Sequence, residues 1–262
     1  MPEPFTGWFE ARQWSPRPHQ MELLQKAQEG RSALLIAPTG AGKTLAGFLP
    51  SLVALHHQNG RRNSSARDGP HTLYVSPLKA LAVDIARNLE APIRDMNLNI
   101  TVETRTGDTP QNRRRRQKES PPDILLTTSE QVALLISQPD AARFFSQLEA
   151  VIIDELHAIV TSKRGDLLAL GLARLRSHAP QLRAVGLSAT VADPAALSAW
   201  LVPQNGNQNA AADVIAVKGG AKPDVSIVKS EARVPWSGHM TRWALDDIYS
   251  LIKSHGTSLV FV

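Results

Sequence analysis

The stretch Ala37-Pro38-Thr39-Gly40-Ala41-Gly42-Lys43-Thr44 constrains this chain more than any other segment of comparable length. It follows the apolar run Ala33–Ile36 and opens a helical pattern that continues from Lys43 to His57. A glycine-rich turn from a strand into a helix, ending in Lys-Thr, is the context a phosphate-binding loop requires. Backbone N–H groups of residues 40–44 can wrap the β- and γ-phosphates of a nucleoside triphosphate, and the helix N-terminus favours their charge. Gly40 and Gly42 permit the close backbone approach. Lys43 is placed to neutralise phosphate charge, and the Thr44 hydroxyl to ligate Mg²⁺. Pro38, Thr39 and Ala41 complete the loop. Its first position is Ala37 where the common pattern has glycine, but the glycines nearest the phosphates remain.

Such a loop needs an acid at the end of a neighbouring strand. Val151-Ile152-Ile153-Asp154-Glu155-Leu156-His157 supplies one, some 110 residues further on. Asp154 is expected to hold Mg²⁺, and Glu155 to orient and deprotonate the attacking water. A positioned general base speeds such a step by about 10²–10⁴-fold. Lys43, Asp154 and Glu155 are therefore the expected catalytic residues of nucleoside triphosphate hydrolysis, with Mg²⁺ as the metal.

Apolar runs alternate with longer helical patterns, which predicts βαβ units and a mostly parallel sheet flanked by helices. Strands are expected at Ala33–Ala37, Thr72–Ser76, Ile100–Arg105, Ile124–Thr127, Ala150–Asp154 and Arg183–Leu187. Helices are expected at Lys43–His57, Leu78–Met96, Ser129–Ser137 and Gly165–Ser177. Residues 58–70 and 204–212 are polar and read as surface loops. After Val191 the pattern loosens until a helix, 241–254, and an apolar strand, 258–262. Because the chain stops inside that strand, a fragment of a longer protein is expected. The sequence has no cysteine, which excludes disulfides, zinc-thiolate sites and thiol catalysis. Neither a leader nor an apolar stretch of membrane-spanning length is present, which fits a cytoplasmic protein. The net charge of +5 favours a polyanion without identifying one.

Further segments give the class. Asp154-Glu155-Leu156-His157 resembles the DExH box of superfamily 2 helicases, and Ser188-Ala189-Thr190 that superfamily's SAT motif. Ser76-Pro77-Leu78-Lys79-Ala80-Leu81 is similar to motif Ia and Arg105-Thr106-Gly107-Asp108 to motif Ib. Thr127-Thr128-Ser129-Glu130 resembles the TTPE-like segment, with Ser129 where many relatives carry Pro. Pro16-Arg17-Pro18-His19-Gln20 resembles the Q motif. Within the superfamily, APTGAGKTLAGFLPSL, VSPLKALAVDIARNL, RTGDT and DELHA resemble the Lhr (large helicase-related) family, and most nearly its ligase-associated DEXH-box branch.

The resemblance implies an α/β RecA-like P-loop NTPase lobe over about residues 31–200, preceded by a Q-motif region at 1–30. A connecting segment, 201–240, and the start of a second RecA-like lobe, 241–262, would follow. It implies an ATP-dependent DNA helicase of repair that translocates 3′ to 5′ on single-stranded DNA and unwinds RNA:DNA hybrids, with repair partners such as a ligase. A DEAD/DEAH-type RNA remodeller is the alternative. Gln20 would read adenine. Pro77, Lys79, Thr106, Gly107, Thr128 and Ser129 would contact nucleic acid, mainly its phosphates. His157, Ser188, Ala189 and Thr190 would couple the two sites. Arginine fingers would come from the second lobe, so one lobe alone is expected to bind nucleotide but hydrolyse it slowly. One of Trp8, Phe9 and Trp14 is a candidate to stack on adenine. The run Arg113–Arg116 either follows the strand or solvates a helix; if all four contact phosphates, neutralising them changes the salt slope by up to about 3.

Overall fold

A computed structural model describes residues 1–59, 68–189, 191–204, 206, 210–217, 219, 224–228 and 244–261. Seven strands form one sheet: β1 (Ala33–Ile36), β2 (Thr72–Val75), β3 (Val102–Arg105), β4 (Ile124–Thr127), β5 (Ala150–Ile153), β6 (Arg183–Ser188) and β7 (Asp213–Ala216). Their order is β3-β4-β2-β5-β6-β1-β7, and every pairing is parallel.

Parallel strands need crossovers, and helices cover both faces. One face carries α1 (Phe5–Ala11), α2 (Pro18–Gln28), α3 (Lys43–Asn59) and α4 (Lys79–Asp95). The other carries α6 (Ser129–Ile136), α7 (Ala141–Phe145), α8 (Leu156–Val160), α9 (Lys163–His178) and α10 (Pro194–Trp200), while α5 (Gln111–Glu119) joins β3 to β4. The central strands divide residue by residue between two cores. Leu35, Tyr74, Leu126 and Ile152 enter the first, and Leu34, Leu73, Leu125 and Val151 the second. Each aliphatic side chain buried this fully contributes about 1.5–3 kcal/mol. This is why runs such as ALLI and AVII are apolar throughout rather than alternating.

The six strands expected between residues 33 and 187 are all present, Ile124–Thr127 with the expected bounds and the other five with shifted ends. The third begins at Val102 because the Thr101 amide donates to Asp123 Oδ2 at 2.8 Å instead of entering a ladder. β7 falls inside the stretch expected only to connect. It adds to the sheet beside β1, where Ile215 alone of its residues is buried, so apolar patterning could not announce it. Residues 1–30 pack into the same unit, which spans Met1–Gly219. The second unit, Gly220–Val262, contains α11 (Leu245–Ser254). Of the strand expected at 258–262, residues 258–261 have no regular structure and Val262 lies outside the described residues; a strand is held by its neighbours, and no ladder partner is found among the described residues. Among those residues, no helix is long and apolar enough to cross a membrane.

Candidate nucleotide site and nucleic-acid face

The sheet register gathers the expected site. Ile36 lies level with Ser188, and Ile153 with Gly186, so β1, β5 and β6 end at one edge. The phosphate loop therefore leaves β1 at the same edge as the acids that leave β5, with β6 between the two strands rather than the direct neighbours expected. Carboxyl edges of this kind are where open α/β sheets take ligands.

In the loop, Gly40 and Gly42 have φ of +79° and +75°, which only glycine adopts without strain. The Ala37 amide donates to the Ser188 carbonyl at 3.1 Å, tying the loop to β6. Lys43 Nζ donates to the Ala37 carbonyl at 2.8 Å. A neutral carbonyl is a weak partner for an ammonium, and a phosphate oxygen would replace it with a charge-assisted bond.

The start of α2 braces the loop from outside. Arg17 donates to the Gly40 carbonyl at 3.1 Å, and His19 Nε2 meets the Ala41 carbonyl at 2.9 Å. Gln20 is buried, and its Oε1 accepts from the Arg17 amide at 2.9 Å. That occupies one of the two amide groups expected to read adenine and leaves Nε2, which would sit 3.2 Å from a Cβ added at Gly42. A cavity of about 400 Å³ opens here, lined by Phe9, Trp14, Arg17, Gln20 and Gly42 among others. Of the three aromatic candidates, Trp8 does not line it and Phe9 is buried. Trp14, 55% exposed, is the ring available to a base.

Asp154 is buried, and its Oδ1 accepts from the Glu155 amide at 2.9 Å. Its Oδ2 accepts from the Tyr74 hydroxyl. Tyr74 is fully buried on β2 and stacks on Phe48 at 5.1 Å. Burial first, then the charge of Asp154, pushes the phenol far above its usual range, so it donates throughout the physiological range. Sequence reasoning missed Tyr74, which inside TLYV has no pattern separating it from a core residue.

Glu155 adopts the left-handed conformation at φ 46°, ψ 45°. A non-glycine residue held there costs about 1–3 kcal/mol, and this bend turns the chain from β5 into α8. Gly165, at the start of α9, permits the close approach on α8: a Cβ there would lie 2.6 Å from the Ile159 carbonyl oxygen. Glu155 Oε2 stands 3.6 Å from His157 Nδ1, which is 2.8 Å from Ser188 Oγ. A contiguous polar path thus runs from the acid to the end of β6. Ala189 follows it; Thr190 lies outside the described residues.

The loops after β2, β3 and β4 meet at the same edge. Lys79 Nζ bonds both Asp108 oxygens, at 2.9 and 3.0 Å, joining the motif Ia and Ib segments. Arg164 on α9 donates to the Pro77 carbonyl at 3.1 Å and pairs with Glu130 at 2.7 Å. Sequence reasoning missed this arginine too, since it lies in neither motif. The Thr127 hydroxyl donates to the Arg105 carbonyl at 2.7 Å. Lys79 and Gly107 are exposed and Pro77 half-buried, whereas Thr106, Thr128 and Ser129 are buried. The N-cap of α6 is Thr128 rather than Ser129, which lies inside the first turn. This arrangement presents a lysine and backbone groups outward and keeps the hydroxyls within.

A family model described as DEAD/DEAH box helicase matches residues 17–197, from the brace on α2 through the SAT segment to α10. The chain belongs to the DEAD/DEAH box helicase family. It is 36% identical, over 97% of its length, to the Lhr helicase/probable uracil glycosylase of Mycolicibacterium smegmatis, of which that match covers 17%. It is 34% identical, over 99% of its length, to the ATP-dependent helicase Lhr-Core of Methanocaldococcus jannaschii, covering 31% of that protein. Among solved structures, the Mycobacterium smegmatis helicase Lhr bound to ssDNA and AMP-PNP superposes with a TM-score of 0.79 at 34% identity, over 98% of this chain and 33% of that one. The chain thus spans a third or less of the length of these relatives. The DEAD-box helicase Mss116 shares the fold at 18% identity and a TM-score of 0.63.

In a DEAD/DEAH box helicase domain arranged this way, Tyr74 has a measurable consequence. Tyr74→Phe keeps the stacked ring and removes one donor from Asp154. Loss of an outer partner to a metal-holding carboxylate costs about 10–100-fold in metal affinity or activity. If Asp154 holds Mg²⁺ as expected from the sequence, the Mg²⁺ concentration that half-saturates ATP turnover by the full-length protein rises by about that factor, with turnover recovering at high Mg²⁺. An unchanged Mg²⁺ requirement would leave Tyr74 as core packing only.

Proposed function

We propose that this chain is the ATP-binding lobe of an Lhr-type helicase that couples Mg·ATP hydrolysis to 3′-to-5′ movement on single-stranded DNA during repair. The carrying observation is that the Lys43 loop and the Asp154–Glu155 pair leave parallel strands at one edge, with a polar path through His157 from Glu155 to Ser188 at the end of β6.

The residues fit the groups implied. Mg²⁺ is normally held by one or two carboxylates together with substrate phosphates and water rather than by an all-protein cage. Asp154 and Thr44 suit that role, and the ion supplies charge neutralisation at the phosphates when bound. Lys43 exchanges the Ala37 carbonyl for a phosphate oxygen. Glu155 accepts a proton from water, and its contact with His157 relays the change towards Ser188. Closure by a second lobe would complete the site with arginine fingers, worth about 10³–10⁵ in rate in other P-loop NTPases. Activity on RNA:DNA hybrids and partnership with a ligase rest on resemblance to the ligase-associated branch.

The DNA reading is favoured over an RNA remodeller by the overlap with the Lhr structure, whose bound strand is ssDNA. The test uses the full-length protein, with ATP turnover and unwinding measured on 3′- and 5′-tailed duplexes of DNA and RNA. Stimulation by single-stranded DNA and unwinding from the 3′ tail are expected. Stimulation by RNA alone, or unwinding only from a 5′ tail, would replace this assignment.

A further inference from the structure

The four arginines after motif Ib are not equivalent. Arg113 and Arg116 both pair with Glu103, at 3.1 and 2.8 Å. Arg114 donates to the carbonyls of Thr109, Thr106 and Gly107, at 2.8, 3.2 and 2.7 Å, and so clamps the motif Ib turn. Arg115 is 78% exposed, with one long contact to Glu119 at 3.8 Å.

Arg114 and Arg115 border a groove of about 590 Å³ between α5 and α6, together with Arg105, Lys118, Gln131 and Gln138. No carboxylate lines this groove among the described residues; Asp140 pairs with Lys118 at 3.3 Å, and Glu119 with Arg115 at 3.8 Å, from outside the lining. Arg105 is the decisive member. It is 7% exposed, its Nε has no hydrogen-bond partner among the described residues, and its guanidinium makes a long bond to the Arg114 carbonyl at 3.4 Å. Burial, and then the charge of Arg114, lowers its pKa. A buried guanidinium with an unsatisfied donor is costly unless an anion completes it.

We propose that the groove between α5 and α6 is a phosphate-binding subsite that takes backbone phosphates of the nucleic-acid strand after it leaves the motif Ia, Ib and TTSE loops. Arg105 and Arg115 supply the charge, Lys118 adds to it by sharing its ammonium with Asp140, and Gln131 and Gln138 offer amide donors. Because Arg114 lines the groove and holds the Thr106–Thr109 turn, occupancy also steadies the loop that faces the strand. This rests on the nucleic-acid reading above and extends it down one face of the sheet, beyond the edge where the motif loops lie.

The test measures affinity of the full-length protein for oligothymidylate across a range of NaCl concentrations. For single strands, each lost phosphate contact lowers the log–log salt slope by about 0.7. Arg115→Gln with Lys118→Gln is expected to flatten the slope by about 1.4, and Arg115→Gln alone, at an exposed position, by about 0.7. Arg113→Gln with Arg116→Gln is expected to leave it unchanged, because neither lines the groove and both are held by Glu103. An unchanged slope in the first two variants overturns the subsite. So does selective competition by inorganic phosphate at constant ionic strength without a slope change, which would mark a free-anion site. Wild-type protein that binds no strand at all would instead overturn the helicase reading, so the two failures are distinct.

Discussion

Glu155→Gln in the full-length protein is expected to lower DNA-stimulated ATP turnover by about 10²–10⁴-fold, the contribution of a positioned general base, while nucleotide binding persists. Gln keeps the shape and can still hydrogen-bond to water, but it cannot accept the proton. The left-handed backbone at this position, φ 46°, is tolerated no worse by Gln than by Glu, so the bend from β5 into α8 is preserved. His157 stands 3.6 Å from the Glu155 carboxylate and 2.8 Å from Ser188. The substitution also removes the charge at the head of that path. Binding without turnover is therefore the expected signature, read by steady-state ATPase and by retention of Mg·ATP on the protein. Turnover within a few-fold of wild type would remove Glu155 from the chemistry.

Much of this site was legible in the sequence because its parts are local. A loop that must expose N–H groups to phosphate needs glycine at fixed places, and positions 40 and 42 carry it in the positive-φ region. The acids at 154 and 155 follow a strand that is buried throughout, so their place at its carboxyl end could be read from AVII alone. The parallel sheet was legible for the same reason.

What escaped notice depends on contacts between distant segments. Tyr74 and Asp154 lie 80 residues apart and meet only because β2 and β5 are neighbours. Arg164 reaches Pro77 across 87 residues. The edge strand β7 buries too little to leave an apolar signature. The arginine run shows the limit most clearly. Four identical side chains in sequence divide into two held by Glu103, one clamping a turn and one facing a groove. Only the strand opposite and the helix beside them decide which is which. The bond from the Arg17 amide to the Gln20 carbonyl at the start of α2 was likewise not legible in the sequence.

Lys43→Ala has the other large expected effect. Lys43 Nζ now rests on a neutral carbonyl at 2.8 Å, inside a loop whose neighbouring groups are held by Arg17, His19 and Ser188. The loop's shape therefore does not depend on the ammonium, whereas a bound triphosphate does. Truncating one partner of a desolvated charge pair costs about 2–5 kcal/mol, which is about 30-fold in Kd at the lower end. The most direct measurement is calorimetric titration of Mg·ATP into wild-type protein and the Lys43→Ala variant. Saturable binding by the wild type, weakened by about 30-fold or more in the variant, is the expected result. Equal affinity in the two, or no binding by either, would contradict a nucleotide site built on this loop.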